Sequence, residues 1–415
     1  MPNFAGTNRN GIMDIKELYK VYCQHNGLTT DSRTCEPGSI FLALKGESFN
    51  GNAFAGNALQ QGCSLAIVDE EAYAVDDRFI LVDDCLKTLK LLAREHRRQF
   101  DIPVVAITGT NGKTTTKELV RSVLSEKFNV LATEGNLNND IGVPKTLLRL
   151  RSEHQVAVIE MGASHPGDIK TLVETAEPTC GLITNVGRAH LQGFGSYEGV
   201  VSTKCELYDF LQQRDDALIF INADDDVLTD RLSDDVWVTP YSTDPEKQYG
   251  CITGEVVSCD PMLAFRWREP LAELEESGRS TKWHKVRTNL IGAYNIYNLL
   301  AAVAVGINFG VERKAICHAI ESYVPANNRS QLVETGSNTL IVDAYNANPT
   351  SMMAALDNFD LLSSAHKMVV LGDMKELGDA SDEEHDKIVR RLKKMGLDEV
   401  WLVGDCFRKA ADGFR

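Results

Sequence analysis

The segment Val104 to Lys117 reads VVAITGTNGKTTTK: an apolar run, a turn holding Gly109 and Gly112, then Lys113 and Thr114 at the start of a helical stretch. Strand, glycine turn and helix in that order present backbone N–H groups and the positive end of a helix dipole to a phosphate. Lys113 would reach the β- and γ-phosphates of a nucleotide, and the Thr114 hydroxyl would hold magnesium. The usual spacing is GxxxxGK[ST], and Ile107 stands where its first glycine would be, so the loop is a shortened variant. The alternative is an ordinary turn that contains a lysine. The order of strand, turn and helix favours phosphate binding over it.

Other residues carry chemistry less specifically. Glu160 ends the apolar run VAVIEM, which puts its carboxylate at the sheet edge where α/β folds bind ligands. Near Thr114 it suits an oxygen-ligated magnesium ion, and its plain alternative is to cap the following turn. His190 lies just beyond GLITNV, and a lone histidine is usually structural. Lys204 follows a glycine-bearing loop and by itself reads as a solvated surface lysine. Asn136, Asn138 and Asn139 are crowded into a polar run that an ordinary turn would also explain. Asp31, Ser32 and Arg33 are a weak signal alone. Asn295 and Asn298 share a face of the helical run that begins near Tyr294. Arg329, Asp343, Tyr345 and Asn346 would otherwise be a surface patch.

The GTNGKTT form resembles the Mur ligase superfamily, which also includes folylpolyglutamate synthases. TEGNLNNDIGVPKTLL (133–148), VIEMGASHPGDI (158–169), TNVGRAHLQGFGS (184–196), STKCEL (202–207), GAYNIYNLLAA (292–302) and DAYNANPTSMMAAL (343–356) occur in the family's order. With TDSRTCEPGSIFLALKGESFNGNAFAGNAL (30–59), the similarity spans nearly the whole chain. It is greatest to the members that add D-alanyl-D-alanine to UDP-MurNAc-tripeptide, with ATP activating a carboxylate as an acyl phosphate. The resemblance implies nucleotide contacts from Gly109, Thr110, Asn111, Gly112, Lys113, Thr114 and Thr115, with Asn295 at the adenine. Tyr294 departs from the commoner histidine beside it. Arg329, Asp343, Tyr345 and Asn346 would close over ribose and phosphates. The resemblance further implies two magnesium ions, served by Thr114, Glu160, His190 and a Lys204 carbamylated by carbon dioxide. It places Asp31, Ser32 and Arg33 at the uridine nucleotide, and Asn136, Asn138 and Asn139 at the muramoyl peptide.

The elements that must position these residues are those of an α/β protein. At 415 residues the chain suggests about three domains. Short buried strands at SIFLALK (39–45) and SLAIVD (64–69), with a helix over Ala53 to Gln61, make an α/β opening. A charged helix over Leu86 to Gln99 ends before Pro103. The first domain is therefore assigned to residues 1–100, with the ahead-of-Met13 segment as an extension. VVAIT, VAVIEM, GLITNV and ALIFIN, separated by helices, indicate a parallel sheet covered on both faces, the central phosphate-loop ATPase domain of 101–325. Residues 236–290 carry shorter strand-like pieces. TLIVDAY, KMVVLG and EVWLVG with their helices form a second parallel, Rossmann-like unit over 326–415. Family members continue past the strand matching Glu399 to Gly404, so this domain is expected to be truncated.

Composition narrows the class. The longest strongly apolar stretch includes only residues 299–305, far short of the ~18 needed to span a bilayer, so no membrane insertion is expected. The N-terminus lacks a secretory pattern, and ten cysteines without a CxxC pair fit reduced thiols in the cytoplasm. A net charge of −16 argues against nucleic acid as a partner. A monomer is expected.

Overall fold

The computed structural model describes residues 13–278, 282–326 and 328–412; the segment ahead of Met13 lies outside them. The chain divides into two compact units. The first comprises residues up to Ile102 together with Thr133–His154 and Thr171–Glu177. Its strands are β1 (Leu28–Thr29), β2 (Ile40–Leu42), the short hairpin β3 (Lys45–Gly46) and β4 (Phe49–Asn50), β5 (Leu65–Val68) and β6 (Phe79–Leu81). Four of them make a parallel sheet in the order β1-β2-β5-β6. The helix Cys85–Arg97 starts where the Asp84 carboxylate accepts from Lys87 N–H, and it buries Cys85, Leu89, Leu92 and His96 on one face. His96 Nε2 lies 3.1 Å from the Leu150 carbonyl, and Tyr22 Oη donates to the Leu148 carbonyl at 3.2 Å. These bonds explain why residues 133–154, which follow the phosphate-loop helix in sequence, belong to this unit.

The second unit is built on a nine-stranded sheet. Its strands are β7 (Val104–Thr108), β8 (Val130–Ala132), β9 (Val156–Glu160), β10 (Cys180–Ile183), β11 (Leu218–Asn222), β12 (Trp237–Ser242), β13 (Ile252–Cys259), β14 (Met262–Arg268) and β15 (His284–Ile291), in the order β15-β14-β13-β12-β11-β10-β7-β9-β8. The strands from β8 across to β13 are parallel, and β14 and β15 extend the sheet antiparallel. The stretch expected to hold only short pieces is thus a long ribbon. Met262–Arg268 alternates, with Leu263, Phe265 and Trp267 buried and Met262, Ala264, Arg266 and Arg268 on the other face, a one-faced pattern that dilutes local hydrophobicity. The helix Ile296–Asn308 is buried almost all round because it lies in the core with the helix Lys113–Ser125. A Cβ on Gly306 would stand 2.6 Å from Val123, so the small residue permits that close approach.

Beyond residue 328 the expected run of parallel strands is divided. β16 (Gln331–Glu334) and β17 (Thr339–Val342) form an antiparallel hairpin, whereas β18 (Met368–Gly372) and β19 (Glu399–Val403) pair in parallel. TLIVDAY therefore takes QLVE as its partner, a strand with too few apolar residues to stand out. Leu356, Ile388, Val389, Leu392 and Phe407 pack beneath β18 in a core of their own. Among the described residues no helix is long and apolar enough to cross a membrane, and all ten cysteines are free thiols.

Leu299 is fully buried in the main core of the second unit. Leu299→Ala should lower unfolding stability by about 2–5 kcal/mol, read as a fall in the urea midpoint at constant slope. An unchanged midpoint would mean that this helix does not hold the unit together.

Candidate active site

The sheet order reverses around β7, which has β10 on one side and β9 on the other although β8 and β9 follow it in sequence. In parallel α/β sheets the crevice beyond the strand ends at such a reversal is where ligands bind. Three neighbouring strands end there together. Ile107 pairs with Glu160, and Thr108 with Ile183. The phosphate-loop segment, Glu160 and the loop leading to His190 therefore leave the sheet side by side.

The segment after β7 folds as the sequence predicts. Gly112 takes φ 80° ahead of the helix Lys113–Ser125, whose first-turn N–H groups lack intrahelical acceptors. A Cβ at Gly109 would lie 2.0 Å from Thr184 Oγ1, and one at Gly112 would lie 2.6 Å from Asn298 Oδ1. Both glycines are required by close approach as well as by positive φ. The loop is strapped to the segment after β10: Thr110 N–H donates to the Asn185 carbonyl at 2.9 Å, Asn111 N–H to Asn185 Oδ1 at 3.0 Å, and Thr184 Oγ1 to the Asn111 carbonyl at 2.6 Å. The Thr110 hydroxyl accepts from Gly187 N–H at 2.9 Å. Thr110 thus braces the loop with its hydroxyl and Asn111 with its backbone. Lys113 Nζ folds back onto the carbonyls of Gly109 and Thr110, each at 2.8 Å, and Thr115 is half-buried on the first turn.

Thr114 Oγ1 donates to the buried Glu160 carboxylate at 3.1 Å. This pair offers the hard oxygen donors that magnesium takes. Burial lowers the Lys113 ammonium to about 8, with Glu160 opposing and Arg329 adding to the shift. Lys204 is the main departure from the local sequence reading. It lies on the helix Tyr197–Leu211, is 2% exposed, and has only the Ala163 carbonyl at 3.5 Å as hydrogen-bond acceptor. Burial drives its amine well below the usual lysine range, and the Lys113 charge pushes it further. As an ammonium it would repel a metal ion; as a neutral amine it is a nucleophile. His190 holds a left-handed backbone at φ 51°, and burial lowers its imidazole while Glu376 opposes that shift. The Phe194 ring lies between the two, 6.3 Å from the His190 ring centre and 5.5 Å from Lys204 Nζ.

Asn295 and Asn298 are buried in a chain of amide bonds. Asn295 Nδ2 donates to the Ile291 carbonyl at 2.8 Å, Asn298 Nδ2 to Asn295 Oδ1 at 2.8 Å, and Thr116 Oγ1 to Asn298 Oδ1 at 3.1 Å. They hold the start of one core helix against the other. Tyr294 Oη reaches Ser330 Oγ at 2.9 Å, which donates to Asp343 at 3.3 Å. Arg329 sits between two residues of positive φ, Asn328 and Ser330, and its guanidinium lies 3.8 Å over the Tyr345 ring. Its Nε is buried without a hydrogen-bond partner. Asn346 instead accepts from its neighbour Ala347 N–H.

In the first unit, Asp31 and Arg33 bind each other. The carboxylate accepts from Arg33 N–H, Nε and Nη2 at 2.8–3.0 Å, which holds Asp31 down at about 2. Ser32 offers its carbonyl to the Cys35 thiol. Asn139 Oδ1 accepts from Gly142 N–H at 2.8 Å at the start of the helix Gly142–Leu147, and Asn136 and Asn138 share the preceding turn. A cavity of about 340 Å³ lies beside both segments. Thr29, Thr34, Glu134, Lys145, Arg149 and Arg151 line it, and none of the six residues named from the sequence does.

The Mur ligase middle domain matches residues 107–306, the Mur ligase family catalytic domain 24–97, and the Mur ligase glutamate ligase domain 328–413. UDP-N-acetylmuramoyl-tripeptide–D-alanyl-D-alanine ligase of Bacillus subtilis is 33% identical over 399 residues, covering 94% of this chain and 82% of its own length. The chain belongs to the Mur ligase family. The structure of MurF from Acinetobacter baumannii is similar with a TM-score of 0.84 at 34% identity, covering 93% of this chain and 82% of that one. MurF ligase from Thermotoga maritima, in complex with ADP, has a TM-score of 0.81 at 27% identity, with 93% of this chain and 86% of that one covered.

In this Mur ligase the structure brings to these sites several residues that sequence reasoning missed. Asn348 caps the helix Pro349–Leu361 and exchanges amide bonds with Asn111, Nδ2 to Oδ1 at 2.7 Å and the reverse at 3.4 Å. An Asn-Pro pair at a helix start was a readable signal. Lys145 and Arg149, one helical turn apart, were legible as a basic face. Among the described residues, Asp373, His385 and Cys406 bring ligand-type atoms within 4.8 Å of one another. Their lone pairs are already engaged: His385 Nε2 accepts from Met374 N–H at 3.0 Å, and Asp373 accepts from Cys406 and Phe407 N–H. The group is a structural clamp.

The lowered Lys113 predicts a pH effect with a definite sign. Between about 8 and 10.5 the unfolded chain keeps a proton that the folded chain has released, so folding gains stability as pH rises through that window. The urea midpoint of wild type should therefore rise relative to Lys113→Met between those values. Parallel profiles for the two proteins would show that Lys113 is not desolvated.

Proposed function

We propose that this chain joins D-alanyl-D-alanine to UDP-MurNAc-tripeptide at the cost of ATP, as a cytoplasmic monomer. The observation that carries the reading is the convergence, at the ends of β9, β7 and β10, of a braced phosphate loop, the Thr114–Glu160 oxygen pair and the buried amine of Lys204. Residues 1–100 would serve the uridine substrate, 101–325 the nucleotide, and 326–415 closure over it. The cations lining the first unit's cavity, Lys145, Arg149 and Arg151, suit the diphosphate of that substrate, and Asp31, Ser32, Arg33, Asn136, Asn138 and Asn139, on segments next to the cavity but not lining it, would meet the parts of the substrate that extend beyond it.

The phosphate loop and Lys113 hold the β- and γ-phosphates of ATP in line with the tripeptide's terminal carboxylate. A carboxylate oxygen attacks the γ-phosphorus, the bond to the ADP oxygen breaks, and an acyl phosphate forms. The dipeptide amine then attacks the acyl carbon, and phosphate leaves from the tetrahedral intermediate. Arg329, Asp343, Tyr345 and Asn346 would cover the nucleotide and Asn295 its adenine end, so that water does not take the acyl group. Thr114, Glu160, His190 and Lys204 would hold two magnesium ions, which when bound offset charge on the phosphoryl oxygens. Lys204 serves only after its neutral amine adds to carbon dioxide, forming an N–C bond, releasing a proton and leaving a carbamate anion.

Purified chain given ATP, magnesium, bicarbonate, UDP-MurNAc-tripeptide and D-alanyl-D-alanine should yield a product of the summed mass less water. Phosphate release should require both acceptor substrates, and release independent of both would overturn the reading. Lys113→Ala should cost at least ~100-fold in turnover. Lys204→Ala should abolish ligation, with partial recovery in a short carboxylic acid; full activity in that variant would remove the carbamate from the scheme.

A further inference from the structure

Glu376 lies in the loop between β18 and the helix Ser381–Leu392, remote in sequence from His190. Its Oε2 is in ion-pair contact with His190 Nδ1, a buried nitrogen that meets no acceptor in full hydrogen-bond geometry. The contact is anchored on both sides. Gln192 N–H donates to the Glu376 carbonyl at 3.3 Å, Gly378 packs on Gln192, and Arg188 faces the buried carboxylate of Glu384 at 3.5 Å. Five non-glycine residues among those described have positive φ, and two of them, His190 at 51° and Glu376 at 63°, are the partners in this one contact. Unfavourable backbone on both sides of a side-chain contact persists only where the surroundings enforce it, and such positions cluster at functional sites.

We propose that Glu376 is the positioning residue for His190: its carboxylate takes the Nδ1 hydrogen, fixes the tautomer and turns Nε2 toward the ion. Histidine ligands generally give their second ring nitrogen to a carboxylate or carbonyl, which sets ring orientation and raises ligand basicity. The inference rests on the assignment of His190 as a magnesium ligand made above. It adds that the ligand is aimed by the segment after β18, so the second ion site is complete only when that segment is seated on the loop after β10. Glu376 acts through His190 and is a positioning residue in this scheme.

The test is a manganese titration of the full chain, followed by electron paramagnetic resonance, with a non-hydrolysable ATP analogue and bicarbonate present. Wild type should bind two ions. Glu376→Ala should weaken one of them by about 10–100-fold, while metal-free ADP affinity and melting temperature stay at wild-type values. Glu376→Gln keeps an acceptor for Nδ1–H and should recover most of the loss, which a merely structural role for the charge would not produce. If Glu376→Ala binds both ions as wild type does, or more tightly, while His190→Ala loses one, the positioning role is overturned and the His190 ligand stands. If His190→Ala also keeps both ions, the ligand assignment fails and the positioning role with it.

Discussion

Two desolvated lysines set the character of this molecule. Lys113 and Lys204 are held where burial disfavours the charge on each, and the charge of the first depresses the second further. The acids that partly offset Lys204 are already occupied. Asp168 accepts from Ser164 and His165 N–H, and Glu206 accepts from Gly167 and Lys170 N–H. Glu160, which opposes the shift at Lys113, shares its carboxylate with Thr114. A crevice so arranged is short of negative charge, which a nucleotide polyphosphate, or the carbamate proposed for Lys204, would supply.

The remainder of the second unit keeps that arrangement from relaxing. Adjacent parallel strands put three loops at one edge, and side-chain bonds from Thr184 and Asn185 lock the phosphate loop to its neighbour. Behind it, Asn298 fills the space that a side chain at Gly112 would need and ties Thr116 to Asn295. In front, the Asn111–Asn348 amide pair and the Gly187–Thr350 approach join the loop to the helix Pro349–Leu361. Charge is concentrated on a scaffold with little freedom to move away from it, which is the preorganisation that phosphoryl transfer needs.

What could be read in the sequence was what is local. Strand, glycine turn and helix lie within fourteen residues of each other, and Glu160 ends an apolar run, so both positions followed from pattern alone. Lys204 did not, because its burial comes from the packing of a fifteen-residue helix against the sheet; only family resemblance singled it out. Asn348 finds its partner 237 positions away, and the Glu376 contact also joins distant segments, so neither had a periodic signal. The ribbon β13–β15 was under-read because only one face of a strand such as Met262–Arg268 is buried, and TLIVDAY was placed in the wrong pairing because QLVE is barely apolar.

The proposed chemistry requires Lys204 to be a neutral amine that carbon dioxide converts to an anion. Carbon-13 magnetic resonance of the full chain in labelled bicarbonate tests this most directly. A protein-bound carbamate signal should appear in wild type, strengthen with magnesium and an ATP analogue, and be missing from Lys204→Ala. Absence of any carbamate signal from a wild-type sample that ligates at full rate would contradict it.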